Sequence, residues 1–354
     1  MKLLQPRAGE VRGEVYLPSG LDTISWGLLP NATAEPVLKV ASGVAVTIDT
    51  VSHEGLLEDQ GRDPAAFFGE AGFGRADLLA DAVEIAGDGD HEPTTQGPHV
   101  VTGPIAVAGA QPGDVLEVEI LDLAYRAPYG AISNRHGKGA LPGEYPQGGA
   151  GVVSQIATVG DDGLGRLPIG DGRDLRFPLD PFLGIMGVAP ATEEPVHSVP
   201  PGPHGGNIDV RLLTPTRSAR LYLPVQVPGA LFYVGDPHFS MGDGEVALTA
   251  FEAPLRATLR LTVHADPAIR RLAAALATPF AETATDHLVL GLDRDLDEAV
   301  KQATRNALAF LRERHGIPGP VALAYLSAAA DFRISQVVDI VKGVHCCIRK
   351  ADLP

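Results

Sequence analysis

Between His204 and Glu252 the sequence carries polar side chains of the ligand or proton-transfer type, two residues apart, at three points. The three pairs are Asn207 with Asp209, Asp236 with His238, and Asp243 with Glu245. Apolar runs of strand length surround them, and the two-residue period of a strand would put both members of a pair on one face. Glycines flank the pairs and allow close approach of the backbone to a ligand. The pattern predicts a site rather than a plain sheet.

Asp236 and His238 are the leading candidates for metal ligands, because carboxylate and imidazole groups suit zinc and a pair at this spacing can reach one ion. Asp209 would add a second carboxylate, leaving an open position for water. The same residues also fit a turn aspartate beside a packed histidine. His53 and His99 stand alone near predicted strand starts, where a histidine is more often structural than a ligand.

Asp243 and Glu245 are candidates for proton transfer. Two carboxylates held close together in a site with little water repel each other, which raises the pKa of one toward a useful range. Glu245 is the predicted general acid and base, with Asp243 and Asn207 as further catalytic candidates. A solvated hairpin turn is the alternative interpretation of the Gly-Asp-Gly-Glu sequence.

Cys346 and Cys347 follow His345, so a thiolate nucleophile with a histidine base has to be considered. Adjacent cysteines at the end of a strand are more often small buried packing residues, and we predict packing here. These two cysteines cannot form a disulfide framework, which favours a reducing, cytoplasmic location.

The 354 residues carry a formal net charge of −16 and no cluster of Lys or Arg. Such a field repels nucleic acid and anionic membrane surfaces but not a neutral small molecule. No apolar run approaches the length of a transmembrane helix or a signal peptide. We therefore expect a small neutral partner, with neither nucleic acid nor membrane.

Gly and Pro, 41 and 30 residues, imply many turns and short strands. Segments 99–110 and 115–122 read as a hairpin-like pair joined by a turn at Gln111–Asp114. A helix is predicted over residues 293–315, with acidic residues at its start and Gly316 after its end. A second helix is predicted over 321–330, followed by a strand over 333–340.

These elements predict a mainly β (α+β) fold, a sandwich or barrel-like body with a small C-terminal helical layer. We expect residues 1–265 to form the β-rich catalytic body and residues 266–354 an α/β portion packed on it as one globular unit. Residues 107–114 are weakly similar in sequence to residues 227–236, which leaves open a body built from two similar β lobes.

Five segments, in order along most of the chain, resemble the acetamidase/formamidase family of amide hydrolases. They are residues 102–116 (TGPIAVAGAQPGDVL), 182–190 (FLGIMGVAP), 204–209 (HGGNID), 235–246 (GDPHFSMGDGEV) and 334–339 (ISQVVD). The chain departs from the family at Met241, where members commonly have Gln, and at residues 50–55, where formamide-acting members have a segment containing Trp and Thr.

The resemblance implies a cytoplasmic, mostly β homo-oligomer, a dimer or larger, that converts a short aliphatic amide and water to carboxylate and ammonia with a divalent metal. Carried over, the family motifs fall on His99, Asn207, Asp209, Asp236, His238, Asp243 and Glu245. His99 thereby becomes a further candidate ligand of a zinc site. Two alternatives stay open: a cupin-like metal oxygenase, although the usual His-x-His pair is missing, and a non-catalytic β protein that binds a small molecule.

Overall fold

The computed structural model describes residues 2–354. Its strands are β1 (Val15–Leu17), β2 (Ile24–Trp26), β3 (Leu28–Leu29), β4 (Leu38–Val40), β5 (Val44–Asp49), β6 (Val100–Val107), β7 (Val115–Tyr125), β8 (Tyr129–Arg135), β9 (Val152–Val159), β10 (Gly165–Gly170), β11 (Arg173–Phe177), β12 (Phe182–Val188), β13 (Val196–His197), β14 (Gly205–Asn207), β15 (Arg220–Pro224), β16 (Phe232–Ser240), β17 (Phe251–Glu252), β18 (Leu255–His264), β19 (Phe280–Glu282), β20 (Asp286–Asp293), β21 (Asp331–Gln336) and β22 (Lys342–Arg349). Its helices are α1 (Pro64–Gly69), α2 (Ala80–Asp88), α3 (Pro267–Leu276), α4 (Leu296–His315) and α5 (Gly319–Ala329).

Two large sheets dominate the fold. The nine-stranded sheet has the order β1-β5-β18-β7-β15-β19-β20-β22-β21, and the eleven-stranded sheet runs β11-β10-β9-β8-β17-β16-β12-β14, with β6 joining β16 to β2 and β4. One buried core contains side chains from both sheets, among them Ile48 and Leu259 from the first and Met186 and Val234 from the second. This confirms the mainly β class. Each sheet ends in unpaired edge strands, so the barrel option is wrong and the body is a sandwich.

Strands were predicted correctly around the turn at Gln111–Asp114, but their pairing was not. The turn is present, since the Asp114 amide donates to the Gln111 carbonyl at 2.9 Å. β6 pairs with β2, β4 and β16, whereas β7 pairs with β15 and β18 in the other sheet. The segment is thus a crossing between the two layers. Period-two patterning identifies strands but does not identify their neighbours.

The predicted helix over residues 293–315 is confirmed as α4. Asp295 caps it by accepting from the amides of Asp297 and Glu298, and Gly316 ends it with φ of +67°. Its apolar side packs on β20 in a second core. α5 and β21 likewise match the predicted helix and strand that follow, with shifted ends. Within residues 2–354, no helix has both the length and the apolar character needed to cross a membrane.

The nine-stranded sheet continues from β15 through β19 into β20, β22 and β21. Backbone pairing therefore runs across the predicted boundary at residue 265. The division into a body, a C-terminal portion and two similar lobes stays a prediction.

The eleven-stranded sheet supplies most of the platform for the polar residues singled out above. Asn207 ends β14, and Asp236 and His238 lie on β16. Glu252 ends β17, directly across the ladder from His238. These strands are neighbours in the order β17-β16-β12-β14, and β6 also pairs with β16. Polar residues distant in the sequence therefore meet over adjacent strands.

Candidate active site

His238 lies at the centre of a buried polar cluster and is itself fully buried. Its Nε2 atom is 2.9 Å from Glu252 Oε1 and 3.2 Å from Asp236 Oδ2, while its Nδ1 atom is 3.9 Å from Asp209 Oδ1. None of these contacts has the direction of a hydrogen bond. The carboxylates thus converge around the imidazole ring without being hydrogen-bonded to it.

Asp236 connects His238 to a second histidine group. Its Oδ1 atom is 3.6 Å from His53 Nδ1 and 3.8 Å from His99 Nε2. The other ring nitrogen of His99 is 3.1 Å from the Ser198 hydroxyl, which orients the ring with Nε2 toward Asp236. The sequence-predicted candidates Asp209, Asp236, His238 and His99 therefore lie in one contiguous cluster.

Four acidic residues at or beside this cluster have left-handed backbone conformations. The φ values are +46° at Asp209, +53° at Asp236, +46° at Glu245 and +57° at Asp339. A non-glycine residue in this region costs about 1–3 kcal/mol, and such residues concentrate at functional sites. The two-residue period predicted that Asp209 and Glu245 project from regular strands, and in the structure they do not. Turns aim their side chains at the cluster.

The donor atoms fit a divalent cation. Three overlapping groups each bring their ligand atoms within 4.8 Å of one another: Asp209 with His238 and Glu245, Asp236 with His238 and Glu252, and His53 with His99 and Asp236. Both oxygens of Asp209, both ring nitrogens of His238 and Asp236 Oδ1 are buried without a hydrogen-bond partner among the described residues. Unpaired buried carboxylate and imidazole atoms are costly unless a cation satisfies them.

Gly184, on β12, provides the space beside these donors. A Cβ atom at this position would overlap with the carboxylate oxygens of Asp209 and Asp236 and would lie 2.8 Å from His238 Cε1. Only glycine allows the sheet backbone to approach the donor atoms this closely.

Burial and crowding of like charges perturb the acids of the cluster. Burial, with the charges of Asp209 and Asp339, raises the pKa of Glu245 well above its usual range. Burial and the charge of Asp339 raise the pKa of Asp209 in the same direction. Burial opposes the charge on Asp236 too, but His238 and His99 outweigh it and lower its pKa. Such divergent pKa values are typical of acid–base sites.

The histidines diverge in the same way. Burial opposes protonation of His238, yet the charges of Glu252 and Asp236 raise its pKa well above the usual value. Burial lowers the pKa of His99 to about 3, so His99 is neutral and its Nε2 atom can be a ligand.

The structure brings Asn207 to the site and leaves Asp243 outside it. Asn207 is buried with an unpaired Oδ1 atom and lines the cleft described below. Asp243 is exposed, and its Oδ1 atom accepts from Arg211 Nε at 2.5 Å. Residues 241–250 form turns rather than a strand, so Asp243 and Glu245 do not share a strand face.

Three residues of the cluster were missed or undervalued in the sequence. Glu252 ends the stretch that carries the three polar pairs, and Asp339 ends the last segment that resembles the family. The sequence therefore offered a reason to consider both as site residues. His53 had only its position near a predicted strand. Its Nε2 atom lies 3.4 Å from Glu54 Oε1, and Arg135 Nη1 is 3.0 Å from the same oxygen.

Cys346 and Cys347 lie on β22 and are buried. Burial raises the pKa of the Cys347 thiol to about 11 and that of Cys346 further. His345, the base in the alternative that was not preferred, has its Nδ1 atom 2.8 Å from the Ser335 hydroxyl. These surroundings favour packing, because a reactive cysteine needs a lowered pKa.

A cleft of about 630 Å³ opens above the cluster. His53, His99, Asn207, Asp236, Glu245, Glu252 and Asp339 line its floor. Apolar side chains line its walls, and charged residues lie at its rim. A cleft that ends on a cluster of perturbed acids and histidines is the form of a substrate site.

Comparison with known proteins agrees with this geometry. The acetamidase/formamidase family model matches residues 86–198 and 191–350. A formamidase of Methylophilus methylotrophus is 27% identical over 302 residues, 68% of this chain and 74% of that protein. An acetamidase of Mycolicibacterium smegmatis is 28% identical over 200 residues, 42% of this chain and about half, 49%, of that protein. The crystal structure of an acetamidase from Bacillus halodurans superposes with a TM-score of 0.73 at 26% identity, over 95% of this chain and 98% of that one.

Fold, cleft and matches together define an amidohydrolase that acts on linear amides. The chain belongs to the acetamidase/formamidase family.

Proposed function

We propose that this enzyme hydrolyses short aliphatic amides of the acetamide and formamide type to a carboxylate and ammonia. The observation that supports this most directly is the set of unpaired carboxylate and imidazole atoms on the floor of the cleft. Water adds to the amide carbonyl carbon, the C–N bond breaks, and the nitrogen leaves as ammonia after gaining a proton. The relatives named as formamidase and acetamidase make these two amides the first substrates to test.

We further propose that His238, Asp209 and Asp236 hold a divalent cation, zinc as the first choice, with His99 as an additional ligand. The neutral form of His99 and the mixed nitrogen and oxygen donors suit zinc. His53 and Glu252 belong to the same overlapping groups and extend the candidate set. A divalent cation supplies Lewis-acid chemistry, which polarises a carbonyl group and makes water more acidic.

Glu245 is the proposed general base. Its buried carboxyl group has a raised pKa, which brings it toward the range in which a group can both accept and return a proton near neutral pH. Glu245 takes a proton from the attacking water and delivers it to the leaving nitrogen. Its left-handed backbone, with φ of +46°, holds the side chain at the cleft floor.

Asn207 is the proposed orienting residue. It is buried and lines the cleft, so its side-chain amide can donate to the substrate carbonyl oxygen as negative charge develops there. Asp243 is paired with Arg211 at the surface and does not line the cleft, so it is not proposed for the same role. Its contact instead anchors the turn that carries Glu245.

The deciding experiment measures ammonia release from formamide, acetamide and propionamide, with and without prior chelation. We expect turnover that chelation abolishes and that zinc restores. Turnover that survives complete removal of metal would overturn the metal assignment. The absence of ammonia from every amide would overturn the function and favour a non-catalytic binding protein.

Cytoplasmic location and assembly into a homodimer or a larger homo-oligomer stay predictions. Light scattering of the purified protein tests the second.

A further inference from the structure

Apolar side chains also line the cleft, beside the polar residues of its floor. We call Leu57, Val199, Leu248, Val338 and Ile340 the apolar wall. We propose that the apolar wall binds the acyl chain of the substrate, so that this enzyme prefers linear amides with acyl chains longer than acetyl, of about four to six carbons. This inference rests on the proposed function, since it specifies which amides are hydrolysed fastest.

Size is the first argument. Acetamide has four heavy atoms and displaces the volume of about three water molecules, or about 90 Å³. The cleft encloses about 630 Å³. Acetamide bound at the floor would therefore leave most of the cleft filled with water, in contact with apolar side chains. An acyl chain of several carbons would displace that water and bury apolar surface.

Backbone strain is the second argument. Leu248 has φ of +109° and Ile340 has φ of +66°. Left-handed conformations are uncommon for non-glycine residues, and for a β-branched or bulky residue they are genuine outliers. Glycine would adopt either conformation at lower cost, and asparagine would adopt that of Ile340 at lower cost. Large apolar side chains nevertheless occupy both positions at the cleft. Strain of this kind concentrates where side chains hold a ligand.

Charge is the third argument, because none of the five side chains of the apolar wall is charged. Three Lys or Arg residues line the cleft. Arg135 is bound by Glu54 and Asp59, Lys342 donates to the Arg294 carbonyl at 2.6 Å, and Lys138 is exposed and forms no ion pair within residues 2–354. Glu58 and Asp59 supply opposite charge at the same rim. The wall itself therefore fits an uncharged aliphatic chain.

The experiment measures kcat/KM for acetamide, propionamide, butyramide and hexanamide with the metal-loaded enzyme. Burying one CH₂ group is expected to raise kcat/KM by up to about fourfold. We expect kcat/KM to rise along the series to butyramide or hexanamide. A flat or falling series, with acetamide hydrolysed, would overturn the role of the apolar wall while leaving the proposed function intact.

One wall variant and one matched control locate the effect. Leu248→Ala should lower the ratio of hexanamide to acetamide kcat/KM by about fivefold to tenfold, since a large part of one side chain leaves the wall. Leu323→Ala removes an equally large side chain from α5, where it is 50% exposed and away from the cleft, and should leave the ratio unchanged. An equal fall in both variants would overturn the inference.

Ile340→Asn tests the strain argument separately. Because asparagine tolerates a left-handed backbone and Ile340 is 49% exposed, the variant should have a higher Tm together with a lower chain-length ratio. A higher Tm with an unchanged ratio would show that the strain does not serve acyl-chain binding.

A binding measurement covers the case in which no amide is hydrolysed. Calorimetry with the Glu245→Gln variant compares acetamide with hexanamide. Tighter binding of hexanamide supports the apolar wall even if the proposed function fails. Equal or weaker binding overturns it.

Discussion

Two clusters of buried charge lie in this molecule, and they are built differently. In the first, Arg256 binds Asp49 through Nε at 2.6 Å and Nη2 at 2.9 Å, and Arg126 Nη2 lies 2.8 Å from Asp81 and 3.5 Å from Asp49. Two guanidinium groups thus meet two carboxylates. All four residues are buried, and the cluster ties the N-terminal segment to the nine-stranded sheet.

The second cluster is the floor of the cleft. Its acidic residues are Asp209, Asp236, Glu245, Glu252 and Asp339, and none of them forms an ion pair with Lys or Arg in the part of the chain described, residues 2–354. Histidines are their only basic neighbours within ion-pair distance. A buried ion pair with matched partners is structural, whereas buried carboxylates without matched cations are neutralised by a proton or by a bound cation. The difference distinguishes the site from the scaffold.

The largest expected effect comes from breaking the centre of the second cluster. His238→Ala should remove the bound metal and lower kcat/KM by about 10⁴-fold, since the loss of Lewis-acid stabilisation costs several kcal/mol. Metal analysis of the purified variant and ammonia release measure the two effects. Full metal occupancy in His238→Ala would show that His238 is not a ligand. His264→Ala, at a partly exposed histidine on β18, is the control and should keep its metal.

Glu245→Gln should lower kcat by about 10³-fold, with little change in KM, because glutamine keeps the shape of the side chain but cannot accept a proton. Metal content and the unfolding transition should stay at wild-type values. Asp243→Asn, two residues away and paired with Arg211, should lose far less activity. Loss of metal from Glu245→Gln would make Glu245 a ligand instead, and an equal loss of kcat in Asp243→Asn would return Asp243 to the site.

A change in the first cluster should lower the free energy of unfolding and leave kcat unchanged. Arg126→Met leaves Asp81 and Asp49 short of a buried cation and should lower the free energy of unfolding by about 3 kcal/mol or more. Urea unfolding measures this loss. Metal content and kcat of the folded fraction should not change. If Arg126→Met had the wild-type free energy of unfolding but lost its metal, the division between scaffold and site would be contradicted.

Two buried histidines extend the comparison to pH. His238 lies among carboxylates, whereas His345 contacts the Ser335 hydroxyl, and burial lowers the pKa of His345 to about 4. The unfolded chain has the usual pKa near 6.5, so it binds a proton first as the pH falls. The stabilisation due to neutral His345 is therefore complete above pH ~6.5 and is lost between pH ~6.5 and ~4, by up to about 3 kcal/mol.

His345→Asn preserves a side-chain partner for Ser335 but does not titrate. The difference in free energy of unfolding between wild type and variant should therefore change between pH ~6.5 and ~4 and stay constant above pH ~6.5. A constant difference from pH 7 to pH 4 would show that His345 does not titrate as its burial implies.

Local sequence determined the elements and much of the site. The acidic start and terminal glycine of α4 specify both of its ends, since capping is decided within one turn. The alternating residues of β7 specify a strand in the same way. Asp236 and His238 could be identified because one strand carries both, and Asn207, Asp209 and Glu245 because they lie within a few residues of glycines in the same stretch.

Tertiary structure alone decided which of these residues meet. β6 and β7 have hairpin-like sequences, yet they join opposite sheets because each finds better partners far along the chain. His53 joins Asp236, and Asp339 joins Asp209, only through such distant pairing. Asp243 has a side chain of a type that catalyses proton transfer, but it is exposed and pairs with Arg211, whereas Glu245 is buried at the cleft. Capping and alternation act between neighbours in the sequence, whereas partner choice depends on the global packing of both sheets, which no local pattern contains.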